Sequence, residues 1–505
     1  MAGTWLLLVF FLFEFEFSKG NPRQQNVLLI VADDAGFQLG TYREKICQTP
    51  NIDALAKRSL IFNKAYTSVS SCSPSRSALL TGLPSHKNGM YGLHQANNHF
   101  NSFDDIISLP NVLSDHNITT GIIGKKHLGP SSVYRFDYEQ TEENNSILQV
   151  GRNITHIKLL VREFLSNVSQ PFLLYVAFHD PHRCGHTNPE YGEFCEKFGN
   201  GEKGMGRIPD WEGIYYQPDE IILPYHVPDT LEAREDFAAQ YTTMSRLDQG
   251  VGLVLKELKT AGYLDNTLII FSSDNAIPFP NGRTNMYDSG VAVPLFISSP
   301  FNTKRWNQVT NSLTSLLDIS PTIYDWFNID ENVYLKKEHK LTGKTLLPLL
   351  DKEPTDFTKE VIFGSHNLHE VTMYYPMRMI RTQRYKLIHN LNYNSAFPID
   401  QDSYLSPTFQ GLLNRSRAHK DLRWYKTLNE YYYRKEWELY DMKYDSEELI
   451  NLAYNVTYKP LLKELKLKLF EWQNKTQDPW ICAPHAVLED KGAYKNDPQC
   501  MSLDN

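Results

Sequence analysis

Four apolar segments of the chain each end at polar or charged residues that could bind a metal ion or an anion. Continuous apolar runs of this kind are typical of buried parallel strands. In an open α/β sheet, ligands bind outside the carboxyl ends of the strands. We therefore expect the residues at these ends to converge on one site, although they are far apart in sequence: Asp33-Asp34, Lys125-Lys126-His127, His179-Asp180-Pro181-His182 and Asp274-Asn275.

Two of these clusters carry oxygen ligands. Asp33 and Asp34, together with Asp274 and Asn275, offer three carboxylates and one amide oxygen. Hard oxygen ligands suit calcium or magnesium rather than zinc or copper. A single pair of aspartates after a strand would more simply cap the next helix. Two such pairs at two strand ends favour a metal site.

Cys72 lies in a segment with distinctive spacing, Ser70-Ser-Cys-Ser-Pro-Ser-Arg-Ser-Ala-Leu-Leu-Thr-Gly82. Pro74 and Arg76 follow the cysteine closely, and the Leu-Leu-Thr-Gly ending predicts a helix end capped by Gly82. Taken alone, Cys72 could be a buried structural thiol or half of a disulfide. Its context favours a chemical role.

A set of basic residues and histidines could surround an anionic group, which needs several charge-assisted hydrogen-bond donors. Lys126 competes with its neighbour Lys125 for one of these places. Taken alone, Arg283 fits a solvated arginine and His182 fits a loop histidine. Asp180 and Glu370 are candidates for substrate binding, although each could be an ordinary surface carboxylate. The proposed cationic set is Arg76, Lys125, His127, His182 and Arg283.

The apolar periodicity predicts which elements must position these residues. Helical patterns at 53–60 and 236–261 separate the apolar strands, so we expect an α/β domain with a mostly parallel sheet at residues 23–370. Residues 376–450 fit antiparallel strands better, and a helix follows near 458–474. We therefore expect a smaller C-terminal α/β domain with an antiparallel sheet at residues 371–505.

The composition is that of a globular protein, with 505 residues, 41% hydrophobic content and a formal net charge of −8. This charge argues against a nucleic-acid-binding protein, whose surface is usually basic. It is compatible with an anionic substrate, because a small basic pocket can lie within an acidic surface.

Two features predict a secretory route. The apolar N-terminal run is too short to span a membrane and predicts a signal peptide at residues 1–20. Glycosylation acceptor sequences (Asn-x-Ser/Thr) are frequent in chains that enter this route. They occur at Asn117, Asn144, Asn153, Asn167, Asn414, Asn455 and Asn474.

The segment at 70–82 resembles the first signature of the sulfatase family, and Gly124-Lys-Lys-His127 resembles the second. The resemblance implies an alkaline-phosphatase-like fold. It also implies that a formylglycine-generating enzyme oxidises Cys72 to formylglycine, an aldehyde. One hydroxyl of the hydrated aldehyde would attack sulfur, and the other would expel sulfate. Covalent catalysis of this kind splits one difficult step into two. A phosphatase of the same fold would carry serine or threonine at this position.

The same resemblance implies a role for each candidate residue. Asp33, Asp34, Asp274 and Asn275 would bind one Ca²⁺ together with the modified Cys72. Ala276 departs from the glycine that commonly follows in this motif, which puts the local loop geometry in question. The remaining roles are stabilisation of the hydrate and sulfate by Arg76 and Lys125, help in the elimination step by His127, protonation of the leaving amine by His182, and substrate binding by Asp180, Arg283 and Glu370.

Further segments resemble family members that cleave N-sulfates. These are residues 91–94, 179–186, 273–275, 369–373, 437–441 and 451–453. They imply a lysosomal homodimer that hydrolyses the N-sulfate of terminal N-sulfoglucosamine in heparan sulfate. The alternatives are an O-sulfatase for another sulfated sugar and an inactive relative that binds heparan sulfate.

The chain has six cysteines, and their number limits how they can pair in disulfides. If Cys72 is converted, an odd number remains, and the simplest pairing is local: Cys184 with Cys195 and Cys482 with Cys500. Cys47 would then be free. A bridge from Cys47 to another cysteine stays open as an alternative.

Overall fold

The computed structural model describes residues 25–168, 171–185, 191–330, 335 and 340–502. The predicted signal peptide at residues 1–20 lies outside the described residues. Within the described residues, none of the helices is both long enough and apolar enough to cross a membrane.

The larger part of the fold is built on an eight-stranded sheet. Its strands are parallel except for Leu295–Ser298, which runs antiparallel to both neighbours. All four predicted apolar strands lie side by side at its centre, so the prediction of a mostly parallel sheet is confirmed. The strand order is Tyr138–Thr141, Thr119–Gly124, Phe172–Pro181, Asn26–Asp33, Thr267–Ser273, Leu295–Ser298, Leu60–Phe62 and Gln308–Thr310.

Successive side chains of each strand point to opposite faces of this sheet, which creates two separate apolar cores. In the central strand, Leu28 and Ile30 belong to one core, whereas Val27, Leu29 and Val31 belong to the other. Helices cover both cores. The helices of this larger part are Pro50–Lys57, Cys72–Thr81, Ser85–Asn88, Leu109–Asp115, Ile154–Asn167, Leu231–Thr260, Asp288–Val291 and Ile319–Trp326.

The helix Leu231–Thr260 is the long helix predicted at 236–261. Thr230 caps its first turn, since the Thr230 side chain accepts a hydrogen bond from the backbone N–H of Ala233. Its buried residues include Phe237, Tyr241 and Leu247, which belong to the core that also holds Leu28 and Ile30.

A second sheet in the C-terminal part is antiparallel, as predicted, and has the order Val361–His366, Met377–Thr382, Tyr385–Asn390, Trp437–Asp441. The helix Lys459–Lys475 packs on one face through Leu465 and Leu469. Further helices are Gln401–Leu405, Pro407–Arg417 and Leu428–Tyr432. Short two-stranded sheets pair Ala65–Tyr66 with Thr314–Ser315, and Ala486–Glu489 with Gln499–Ser502.

The second sheet begins at Val361, before the boundary predicted at residue 370. A boundary at 370 would separate Val361–His366 from its hydrogen-bonded partner Met377–Thr382. The division into domains at 23–370 and 371–505 remains a prediction, and we propose placing its boundary before Val361.

The structure contains both predicted disulfides. The Cα atoms are 5.3 Å apart in Cys184–Cys195 and 5.4 Å apart in Cys482–Cys500, within the usual range. Cys47 and Cys72 are free and buried. Cys47 packs under the long helix, where its Sγ lies 3.8 Å from the carbonyl oxygen of Tyr241.

This arrangement predicts the outcome of disulfide mapping. Non-reducing peptide mapping should recover the peptides Cys184–Cys195 and Cys482–Cys500 as pairs. Cys47 should react with an alkylating reagent only after denaturation, because the folded protein buries it. Recovery of Cys47 in a bridge would contradict this assignment.

The glycosylation acceptor sequences differ in exposure. Asn153 is half-buried and caps the helix Ile154–Asn167, accepting from the backbone N–H of His156 at 3.2 Å. Its Nδ2, where a glycan would attach, donates to Gln149 at 2.7 Å. The other acceptor asparagines are exposed. We therefore expect Asn153 to be the least favourable site for a glycan.

Candidate active site

The carboxyl ends of the central strands open into a cavity of about 470 Å³. Cys72, Lys125, His127, His182 and Arg283 line it, as does the predicted substrate-binding residue Glu370. These residues come from distant parts of the chain, and the parallel strands bring most of them together. The cavity is therefore the candidate active site.

Cys72 is the first residue of the helix Cys72–Thr81, and Gly82 ends that helix at a φ of 65°. The N-terminus of a helix favours negative charge, because its backbone N–H groups are unpaired and the helix dipole is positive there. Burial raises the pKa of the Cys72 thiol well above its ordinary value, although Lys125 opposes this shift. An unmodified Cys72 is therefore a protonated thiol and a poor nucleophile.

The predicted metal ligands form a compact, fully buried cluster. Ligand atoms of Asp33, Cys72 and Asp274 lie within 4.8 Å of one another, as do those of Asp34, Cys72 and His182. Asn275 Nδ2 donates to Asp34 Oδ1 at 2.6 Å. The buried oxygens Asp33 Oδ1 and Asn275 Oδ1 have no hydrogen-bond partner.

The electrostatics of this cluster also fit a bound cation. Burial raises the pKa of Asp34 well above its ordinary value, and Asp33 and Asp274 raise it further against the effect of Arg283. Burial also raises the pKa of Asp274 to about 6, despite Arg76. The nearby basic side chains do not keep all the carboxylates ionised. A divalent cation would do so and would occupy the unpaired oxygens, so these residues fit an oxygen-liganded metal ion.

Arg76 lies behind the ligand cluster and is not among the described residues that line the cavity. Its Nε donates to Asp274 Oδ2 at 2.9 Å, and its Nη1 donates to the carbonyl oxygen of Lys125 at 2.9 Å. The geometry assigns it to orienting Asp274 and the backbone at Lys125. The predicted role of Arg76 in stabilising the hydrate and sulfate stays a prediction.

Lys125 faces the cavity and its Nζ donates to Asp33. Burial would lower the pKa of Lys125, but Asp33 raises it above its ordinary value, so the side chain is charged. The competing residue Lys126 instead pairs with Glu139, with its Nζ 2.6 Å from Oε1. Of the two lysines, Lys125 is the one placed to contact an anion in the cavity.

Two non-glycine residues of the site have left-handed backbone conformations, with φ 60° at Asp34 and φ 53° at His127. Such conformations cost about 1–3 kcal/mol and cluster at functional sites. The backbone N–H of His127 donates to Glu143 Oε1 at 2.7 Å, which holds this turn. Ala276 is not among the residues with positive φ, so the departure from glycine is accommodated without strain.

His182 differs from its predicted state. Its Nδ1 donates to the carbonyl oxygen of Arg183 at 2.7 Å, so its Nε2 is the acceptor for Arg283 Nη1 at 2.9 Å. Burial, followed by the charge of Lys125, lowers the pKa of His182 to about 3. Burial and the neighbouring cations favour a neutral His182, although Asp34 and Asp402 also lie within 4 Å of its Nε2. Its predicted role as the acid for the leaving amine stays a prediction.

Asp180 is not among the described residues that line the cavity, and its role in substrate binding stays a prediction without support from the structure. Arg152 and Arg246 enclose its carboxylate, and Arg246 Nε donates to Asp180 Oδ2 at 2.7 Å. The side chains of all three residues are at most 1% exposed. Because removing one partner of a buried pair leaves an uncompensated charge, Asp180 has a structural role in this protein.

Several residues of the site had no assigned role from sequence. His179 lines the cavity, and its Nδ1 lies 2.6 Å from Glu142 Oε1. Burial raises the pKa of Glu142 to about 8. Asp400 and Asp402 pair with Arg283, and Asp402 lines the cavity. The two aspartates lie at the start of a short helix of the C-terminal part. They do not follow an apolar strand, which was the sequence pattern that indicated the other site residues.

The chain resembles several known proteins. Residues 25–329 match the family model described as Sulfatase, and residues 282–402 match the model described as N-sulphoglucosamine sulphohydrolase, C-terminal. The chain is 58% identical over 487 residues to human N-sulphoglucosamine sulphohydrolase, covering 96% of each protein. It is 27% identical over 473 residues to an ulvan-active sulfatase of Formosa agariphila, covering 92% of this chain and 82% of that protein.

Solved structures share the fold. A protein in complex with its substrate D-glucosamine-2-N,6-O-disulfate superposes with a TM-score of 0.62 at 21% identity, covering 90% of this chain and 98% of the other. The phosphonate monoester hydrolase of Agrobacterium radiobacter gives a TM-score of 0.60 at 18% identity, covering 94% and 99%. At this identity the likeness concerns the fold alone, and it agrees with the predicted alkaline-phosphatase-like class.

Proposed function

The chain belongs to the sulfatase family, and we propose that it hydrolyses the N-sulfate of terminal N-sulfoglucosamine in heparan sulfate. The observation that carries this proposal is the 58% identity to human N-sulphoglucosamine sulphohydrolase over 96% of both chains. The match of residues 282–402 to the C-terminal model of that enzyme supports it, since this segment contributes Arg283, Glu370 and Asp402 to the cavity.

We propose that Cys72 is converted to formylglycine, whose hydrate supplies the nucleophile for attack on sulfur. In the structure, the Sγ of Cys72 stands in for the oxygens of that modified side chain. Residue 72 lies at the N-terminus of a helix and beside the ligand cluster, which suits an anion under attack.

The same cluster would hold one Ca²⁺ through Asp33, Asp34, Asp274 and Asn275. When bound, the ion would polarise the sulfate group and offset its negative charge. The supporting observation is that two buried oxygens lack a hydrogen bond: Asn275 Oδ1, and Asp33 Oδ1, which has only the ion pair with Arg76 at 3.4 Å.

The remaining side chains position the sulfate and move protons. Lys125 supplies a fixed positive charge to the cavity, and Arg283 connects Asp34 to His182 through its Nη1. Burial lowers the pKa of His127, so its ring is neutral. Since the Nδ1 of His127 has no hydrogen-bond partner, it can accept a proton in the elimination step.

The predicted environment and partners fit this function. We propose a lysosomal glycoprotein that passes through the secretory route, meets the formylglycine-generating enzyme there and acts as a homodimer on heparan sulfate. The exposed acceptor asparagines support the route. Glu370 lines the cavity and keeps its proposed place in substrate binding.

A substrate panel tests the proposed function. Purified protein should hydrolyse N-sulfoglucosamine with a higher kcat/KM than glucosamine 6-O-sulfate or another O-sulfated monosaccharide. The mature protein from a host that makes formylglycine should be used, because unmodified Cys72 is inert in this account. A preference for an O-sulfated sugar would instead support the O-sulfatase alternative. Binding without hydrolysis of any substrate would support an inactive relative.

A further inference from the structure

Cleavage of an S–N bond requires a proton at nitrogen, because an amine anion is a very poor leaving group. The proton donor must face the cavity near residue 72. His182 does not meet this requirement in the structure. Its Nδ1–H is used by the carbonyl of Arg183, and its Nε2 accepts from Arg283.

Two carboxyl groups, Asp400 and Asp402, share one guanidinium, and Asp402 lies next to His182. Nη2 of Arg283 pairs with both of them. Asp402 Oδ2 lies 3.9 Å from Nε2 of His182. Ligand atoms of His182, Asp34 and Cys72 in turn lie within 4.8 Å of one another. Asp402 lines the cavity, whereas Asp400 is not among the described residues that do.

Both carboxyl groups are buried and pair with the same guanidinium nitrogen, and like-charged carboxyl groups this close favour a proton on one of them. Burial would raise the pKa of Asp400, but Arg283 holds it below its ordinary value. Burial and the charge of Asp400 raise the pKa of Asp402, against the effect of Arg283. Of the two, Asp402 is therefore the carboxyl group that more readily holds a proton. Like-charged carboxyl pairs elsewhere divide a proton in the same way.

We propose that Asp402 is the catalytic acid that protonates the leaving nitrogen of the N-sulfated substrate. This inference rests on the proposed function. It also distinguishes the site from one built for O-sulfates, because the carboxylate that remains after proton transfer lies beside a new amine that becomes a cation. An alcohol product gains no such interaction.

The step balances as follows. The S–N bond breaks and its electron pair stays on nitrogen, while the proton of Asp402 forms a new N–H bond. The sulfuryl group passes to a hydroxyl oxygen of the hydrate at position 72, and the proton of that hydroxyl is released to solvent as the S–O bond forms. The amine takes a second proton from water and leaves as an ammonium ion, and the Asp400–Asp402 pair regains its proton from solvent.

The groups that face Asp402 come from several elements of the fold. Arg283 and His182 approach from the larger sheet, and Asp400 lies on the same short helix. Glu370 and Tyr191 also line the cavity and interact with Asp402 electrostatically. Glu370 is the competing carboxyl group, because it lines the same cavity and burial raises its pKa.

The test compares two N-sulfated substrates in the mature enzyme. N-sulfoglucosamine releases an alkylamine, so its cleavage depends strongly on a proton at nitrogen. In N-sulfo-4-nitroaniline the nitro group delocalises charge from the leaving nitrogen, so cleavage depends less on that proton. Asp402→Asn should lower kcat on N-sulfoglucosamine by about 10²–10⁴-fold, the usual contribution of general-acid catalysis. The fold-reduction of kcat that Asp402→Asn causes on N-sulfo-4-nitroaniline should be at least about tenfold smaller.

Asp400→Asn removes the charge that raises the pKa of Asp402 but keeps the group that lines the cavity. It should therefore also lower kcat selectively on N-sulfoglucosamine, by less than Asp402→Asn does. Glu370→Gln should raise KM without changing the ratio of the two kcat values. Thermal unfolding and metal content of each variant show whether the site is intact. Asp402→Glu keeps a carboxyl group at this position, so it should recover part of the kcat lost in Asp402→Asn.

Equal losses of kcat on both substrates in Asp402→Asn would overturn the acid assignment and leave Asp402 as a positioning residue for Arg283. A loss of kcat in Glu370→Gln that is confined to N-sulfoglucosamine would identify Glu370 as the acid, and this too would overturn the assignment of Asp402. If the mature enzyme without any substitution does not hydrolyse N-sulfoglucosamine at all, the proposed function itself fails. Hydrolysis by this unsubstituted enzyme therefore separates failure of the acid assignment from failure of the proposed function.

Discussion

Replacing Cys72 with serine should reduce turnover by at least about 10⁴-fold, as expected when a covalent nucleophile is lost. Serine cannot form the aldehyde hydrate, so attack on sulfur would end at a stable sulfate ester. The side chain is 2% exposed and begins a helix, and serine fits both the space and that position. The variant should therefore fold and carry the ester, which mass spectrometry of the peptide would detect.

Cys47→Ser provides the matched control for this experiment. Cys47 is the other free buried cysteine among the described residues, and it contacts Tyr241 rather than the cavity. This variant should retain turnover close to that of the native protein. Near-normal turnover of Cys72→Ser would contradict the formylglycine mechanism.

Replacing Asp274 with alanine should remove the metal ion and most of the activity. Asp274 Oδ2 accepts from Arg76, and its Oδ1 accepts from the backbone N–H of Asp34 at 3.2 Å. The alanine variant loses a ligand and also removes the nearer of the two carboxylates that pair with the buried Arg76, leaving Asp33 at 3.4 Å. Breaking such a buried pair costs about 3–5 kcal/mol of stability. The metal content found by elemental analysis and the temperature of thermal unfolding should therefore both fall.

Asp274→Asn separates these two effects. The amide oxygen can still accept from Arg76, so the free energy of unfolding should fall less than in the alanine variant. The loss of one negative charge should nevertheless lower the metal content and the activity. Full activity of either variant, stoichiometric zinc in the native protein, or active native protein without metal would contradict the calcium site.

The central strands could be predicted from sequence because their burial on both faces requires continuous apolar runs. Asn26–Asp33 and Phe172–Pro181 are buried throughout. The same reasoning placed Asp33, Lys125 and His182 near one another, since each follows or ends such a strand. The boundary at 370 was less predictable, because pairing of Val361–His366 depends on a partner later in the chain.

The protonation states and the partners of single carboxylates could not be predicted. His182 has an ordinary sequence context, and its lowered pKa results from burial beside Lys125. Asp180 lies in a segment whose sequence suggested a functional site, yet it forms buried ion pairs with Arg152 and Arg246. Asp402 reaches the cavity only because the C-terminal part packs against Arg283. Each outcome depends on tertiary contacts between distant segments.

The most direct test of the account uses a heparan sulfate oligosaccharide with N-sulfoglucosamine at its non-reducing end. After incubation with the mature protein, NMR and mass spectrometry should show one sulfate released and one new terminal amine for each chain, with internal N-sulfates and all O-sulfates intact. Release of an O-sulfate while the terminal N-sulfate remains, or no release by protein that carries formylglycine at position 72, would contradict the account.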